Sequence, residues 1–194
     1  VTQINILIGT IIASFESGAI SYLYYADRIY QINLAIAGVA IGTVMLPELS
    51  KNIKIGNINN VMNIQNKSLE LCLLFSLPAC FGLIIASEEI TSALFGYGSF
   101  SEENVILTSK ALKYFGYGVP AFALIKVLSN FLFARDNTKV PFYISAFIVF
   151  FNILISLTYF QEIGFVIIPI ATSVSTWIGV LIYLILLIKF KHFR

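Results

Sequence analysis

Apolar positions run along this chain in long stretches, and short polar segments separate them. A membrane-spanning helix needs about 20 mostly apolar residues. By that measure the pattern predicts one partial span at 1–14 and five full spans at 18–47, 69–95, 105–134, 140–160 and 165–188. The expected fold is all-α, a polytopic transmembrane helix bundle of about six spans, with 1–194 as one transmembrane segment. Pro78 and Gly82 interrupt the third span. Gly116, Gly118 and Pro120 lie near the middle of the fourth, and Pro169 sits in the first turns of the sixth. Such breaks are tolerated in a membrane where protein or water re-satisfies the freed backbone groups. They are frequent in transporters that rock between two states.

The polar segments sort by charge. "SKNIKIGNINNVMNIQNK", "RDNTK" and "KFKHFR" carry Lys51, Lys54, Lys67, Arg135, Lys139, Lys189, Lys191 and Arg194. The alternate segments, "ESGA", "GYGSFSEEN" and "FQEIG", carry Glu16, Glu102, Glu103 and Glu162. The basic side is cytoplasmic by the positive-inside rule. Lys110 and Lys113 go against it, either snorkelling to the interface or facing an aqueous cavity. Residues 51–67 read as a cytoplasmic loop. It either holds a short amphipathic helix on the inner membrane surface or is an ordinary polar loop.

Composition sharpens this picture. The chain is 58% hydrophobic and 11% charged, with a mean hydropathy of +0.89. So few charges cannot cover a core of this size, so lipid is the solvent. The chain begins at Val1, which suggests a segment of a longer protein. Cys72 and Cys80 fall within one apolar stretch and read as small apolar residues. With those two cysteines and a single histidine, His192, neither a zinc site nor a Cys–His nucleophile can be assembled. No enzyme and no cofactor is expected. The net charge of +2 is too small to suggest nucleic acid.

Charges inside the spans are the candidate chemistry, since one at the bilayer centre costs about 2.5–3.5 kcal/mol. Arg28 lies 19 residues before Pro47, roughly 28 Å along a helix, near the outer edge of the hydrocarbon. One reading is an interfacial arginine paired with Asp27 beside a belt of Tyr22, Tyr24 and Tyr25. The other is a cavity-lining residue, since Gln31 follows one turn later and Gly38 and Gly42 lie further along. Lys126 is deeper, nine residues and roughly 13 Å before Arg135, with Ser129 and Asn130 on its face. Two basic residues facing a cavity at different depths suit an anionic substrate that crosses the membrane. Asn152, Ser156, Thr172, Ser173 and Ser175 read first as hydrogen-bonding contacts between helices.

The stretch "SGAISYLYYADRIYQINLAIAGVAIGTVMLPELSK" resembles the MurJ (MviN) family of lipid II flippases, members of the MOP exporter superfamily. That family carries a similar Tyr-Ala-Asp-Arg sequence and a helix ending in Leu-Pro-x-Leu-Ser. "LFSLPACFGLIIASEEITSALFGYGSFSEEN" and "ALKYFGYGVPAFALIKVLSNFLFARDNTKVP" extend the likeness over essentially the whole chain. The resemblance implies a C-terminal-lobe segment of a two-lobed, multi-pass protein of the bacterial inner (plasma) membrane. The substrate implied is lipid II, an undecaprenyl-pyrophosphate-linked peptidoglycan precursor, moved from the inner to the outer leaflet. Membrane lipids and cell-wall synthesis proteins are the other partners. Arg28 matches the family's cavity arginine and would attract the pyrophosphate, with Asp27 orienting it. Gln31 stands where some members have a carboxylate, and the resemblance of the later hairpin includes Lys126. Some members bind sodium, and Asn152 and Thr172 are at matching positions, but Gly9 and Ser156 replace acidic residues there. Alternatives are a flippase for another polyprenyl-pyrophosphate-linked glycan, or a non-transporting scaffold for cell-wall synthesis.

Overall fold

The computed structural model describes residues 2–189, and side chains from residue 6 onward. Lys191, His192 and Arg194 lie outside the described residues. Every regular element among the described residues is helical: α1 (Thr2–Ala13), α2 (Ala19–Leu34), a π-helical turn (Ala35–Ala40), α3 (Ile41–Ile55), α4 (Ile58–Ile85), α5 (Ser87–Phe95), α6 (Glu102–Phe133), α7 (Lys139–Ile163), a 3-10 turn (Gly164–Val166) and α8 (Ile167–Lys189). Four continuous stretches are long and apolar enough to cross a membrane: Ala19–Ile55, Ile58–Ile85, Glu102–Phe133 and Lys139–Lys189. The last is folded back on itself at Gly164, where the backbone turns at φ 73°. The protein is a multi-pass membrane helix bundle.

Two local features differ from the sequence expectation. Residues 51–67 are helical almost throughout: α3 runs on to Ile55 and α4 begins at Ile58. Gly56 ends α3 at φ 77°, where glycine meets no Cβ clash. Asn57 then caps α4, its side chain accepting from the Asn60 N–H at 3.1 Å. The buried Asn52 carbonyl accepts from the Asn60 amide at 2.7 Å and ties the two helices together. The expected third span, 69–95, is also divided. α4 passes through Pro78 and Gly82 without a break, ends at Ile85, and α5 starts anew at Ser87. Glu88 and Glu89 in the first turn of α5 suit the positive end of its dipole.

α6 is the hub. It packs against α2, α4, α5 and α8, while α1 lies on α7. Its buried positions point to every side, from Leu112 and Phe115 to Val127, Phe131 and Leu132, as expected for a helix enclosed by others. Two apolar clusters follow. One, at the basic end, joins Leu49, Val127, Phe131, Tyr183 and Leu187. The other, at the acidic end, joins Ala26, Ile29, Leu112, Phe115, Phe165 and Ile168. Large apolar side chains such as Val44, Phe81, Phe150 and Ile185 are exposed on the outside.

α6 remains helical through Pro120, although proline removes one backbone bond and loosens the preceding turn. α8 braces that stretch. The Ser173 hydroxyl donates to the Tyr114 carbonyl at 2.8 Å, and the Trp177 indole N–H donates to the Tyr117 carbonyl at 3.0 Å.

At the acidic end, Glu16 Oε2 accepts from the buried Phe165 N–H at 2.7 Å and joins the first turn to the turn after α7. Tyr22 donates to Asn104 Oδ1 at 3.1 Å. Glu16→Ala leaves the Phe165 donor unpaired and is expected to cost about 1.5–3 kcal/mol. Thermal unfolding in detergent checks this, and an unchanged midpoint would mean the two turns are not joined.

Candidate functional site

α2 carries Tyr24, Asp27, Arg28 and Gln31, and its turns set their partners. Tyr24 and Arg28 are four residues apart and therefore share a face. The Arg28 guanidinium donates to the Tyr24 hydroxyl at 3.1 Å and lies 4.8 Å from the centre of its ring. Both side chains are exposed. Asp27 and Gln31, also four apart, form a separate pair in which the Gln31 amide donates to Asp27 Oδ2. Tyr30 lines one cavity with the same carboxyl group. Asp27 therefore does not hold Arg28; neighbouring residues on a helix point about 100° apart, and Tyr24 takes that role.

Asp27 and Tyr30 instead line a cavity of about 190 Å³ with Gly9, Thr10, Tyr24 and Thr172. Tyr30 is fixed there by Phe115 and Phe122, with ring centres 4.7 and 5.2 Å away.

Lys126 and Asn130 belong to a larger cavity of about 520 Å³, lined also by Gly38, Gly42, Ser129 and Phe142. The two glycines make the contact possible. A Cβ on Gly38 would lie 3.2 Å from Ala123 Cα and 3.4 Å from Lys126 Cβ, and one on Gly42 would lie 2.4 Å from Asn130 Nδ2. The helices thus meet almost backbone to backbone, as small residues allow in membranes. Lys126 keeps its side chain exposed at the cavity. Arg28 is ten residues before Gly38, about 15 Å along the axis. Arg28 and Lys126 therefore stand at different depths, and Arg28 is not among the residues lining the cavity of about 520 Å³.

Asn152 and Thr172 do meet. The Asn152 amide donates to Thr172 Oγ1 at 2.9 Å, and that hydroxyl donates to the Ile168 carbonyl at 2.8 Å. Gly9 and Ser156 supply no carboxylate; the one that lines a cavity with Thr172 is Asp27. Among the described residues no group of three His, Cys, Asp or Glu could hold a metal ion. The pair fastens α7 to α8. Ser173 hydrogen-bonds a neighbouring helix, as its sequence reading has it; Trp177 is not singled out by the sequence, because its partner Tyr117 is distant in the chain. The Tyr24–Arg28 spacing was open to reading.

The profile of the family described as lipid II flippase MurJ matches residues 1–193. The chain belongs to this family. A probable lipid II flippase MurJ of Rhizobium meliloti (strain 1021) is 41% identical over 192 residues, covering 99% of this chain and 36% of the relative. That of Rickettsia prowazekii (strain Madrid E) is 40% identical over 177 residues, covering 91% and 35%. A solved structure of lipid II flippase MurJ in an inward closed conformation superposes with a TM-score of 0.88 at 32% identity, covering 99% of this chain and 40% of that one. The chain thus spans little more than a third of the MurJ relatives it matches in sequence. Arg28, Lys126 and the glycine contact between α3 and α6 all fall inside the matched region.

Proposed function

We propose that the full-length protein carries lipid II from the inner to the outer leaflet of the bacterial plasma membrane by alternating access, and that this chain forms part of its cavity wall. The family match over residues 1–193 carries the reading. The chemistry of the chain agrees with it. Arg28 offers a planar, always-charged fork suited to a pyrophosphate, and Tyr24 restrains that fork by one hydrogen bond and one ring face. Lys126 and Asn130 place a second cation and an amide deeper in the membrane, where an anionic headgroup would meet them after leaving Arg28. Asp27 and Gln31 satisfy each other and so leave Arg28 uncompensated by an ion pair. These residues read phosphate rather than sugar, so a different polyprenyl-pyrophosphate-linked glycan would meet the same groups.

The test is depletion of the full-length protein, with lipid II in the outer leaflet measured by access to an externally added toxin that cleaves it. Loss of exposure while the precursor accumulates inside is expected. Unchanged exposure would sink the reading, and accumulation of a different lipid-linked glycan would reassign the substrate.

A further inference from the structure

A second opening, unconnected with Arg28 or Lys126, runs between α3 and α4. It measures about 510 Å³ and is graded in polarity along its length. At the basic end it is lined by Glu48, Asn63 and Lys67, all three exposed. Away from that end it is lined by Val44, Leu71 and Phe75, which are 74%, 36% and 49% exposed. From Lys67 to Phe75 is eight residues, about 12 Å of helix, close to the roughly 15 Å depth of one leaflet's hydrocarbon. The groove therefore repeats, on the side of the protein, the profile of a single lipid standing in the cytoplasmic leaflet. Glu48 and Lys67 flank its polar end, yet no ion pair joins them among the described residues.

We propose that this groove holds a glycerophospholipid with a primary ammonium headgroup, phosphatidylethanolamine in a bacterial membrane. Lys67 and the Asn63 amide meet the phosphate, Glu48 meets the ammonium, and one acyl chain lies along Val44, Leu71 and Phe75. The paired charges decide the headgroup. Phosphatidylglycerol offers the phosphate but only hydroxyls, and no cation, for Glu48, whose carboxylate repels its net negative charge. Two unlike charges on the protein match two unlike charges on the lipid in the same narrow space, which a purely anionic or uncharged amphiphile does not do.

Native mass spectrometry of the full-length protein, released from detergent containing equal phosphatidylethanolamine and phosphatidylglycerol, tests this. Exposed ion pairs predict a preference of about 2- to 5-fold for phosphatidylethanolamine. Glu48→Gln is expected to erase the preference, and Lys67→Gln to lower adducts of both lipids. Arg28→Glu, outside the groove, should leave the preference in place, so the outcome is separate from the transport reading. Equal adducts of both lipids in the unaltered protein, or a preference that survives Glu48→Gln, would overturn the proposal. So would adducts insensitive to both groove variants, which would show the groove covered by the rest of the full-length protein.

Discussion

Arg28→Glu in the full-length protein is expected to abolish growth complementation and to reduce lipid II exposure to the level of depleted cells. The variant places a carboxylate where a phosphate must dock. A hydrogen bond to a charged group that is lost and replaced by repulsion lowers occupancy roughly a hundredfold or more. The substitution should not disturb folding, because the Arg28 side chain is exposed and its one hydrogen-bonding partner is Tyr24, also exposed. Membrane insertion and protein level therefore serve as the control. Arg28→Lys keeps the charge but loses the fork and most of the ring contact, so partial activity is expected. Normal growth with Arg28→Glu at normal protein level would remove Arg28 from the substrate path and leave this part of the wall structural.

Gly38→Leu is expected to destabilise the protein and to disturb the cavity beside it. Gly38 is buried, and the Cα of Ala123 stands 3.2 Å from where its Cβ would be. A backbone atom cannot swing aside as a side-chain tip can. Gly38→Ala asks for a shift of a few tenths of an ångström and returns helix propensity of about 1 kcal/mol, so it should be near neutral. Leucine must push α2 and α3 away from α6, an overpacking cost of about 1–3 kcal/mol or more. The melting midpoint in detergent should fall by roughly 5–10 °C. The cavity beside Lys126 should be disturbed as well, since Gly38 lines it. A leucine variant as stable as the parent would mean that the two helices do not touch there.

The helical class was legible because lipid demands long apolar runs, and those need no tertiary information. The likeness carried by the Tyr-Ala-Asp-Arg stretch was legible for the same reason, since it is contiguous. The facing of Lys126 and Asn130 also followed from spacing alone. What could not be read was the π turn at Ala35–Ala40, which has no signature in an apolar run of Ala, Ile, Gly and Val. Each extra residue it absorbs shifts the following helix by about 100° relative to an uninterrupted one. The face of Arg28 therefore cannot be extrapolated straight down to Gly42 across the π turn. The length of α4 was hidden by its polar start. "NINNVMNIQNK" looks like a loop until Asn57 is seen capping a helix and Asn60 is seen bonded to Asn52.

The bonds from Ser173 and Trp177 to α6 bear on how motion would pass through the molecule. A transporter that rocks between two states moves a load only as far as its levers are stiff. A long helix with a proline in its middle is a lever with a soft joint, and it would bend where it should push. Two side chains of α8, one helical turn apart, grip α6 just before that joint and act as a splint. The part of α6 that ends at Tyr117 is thereby tied to α8, and any bend at Pro120 would leave the two moving together on the acidic side of the joint.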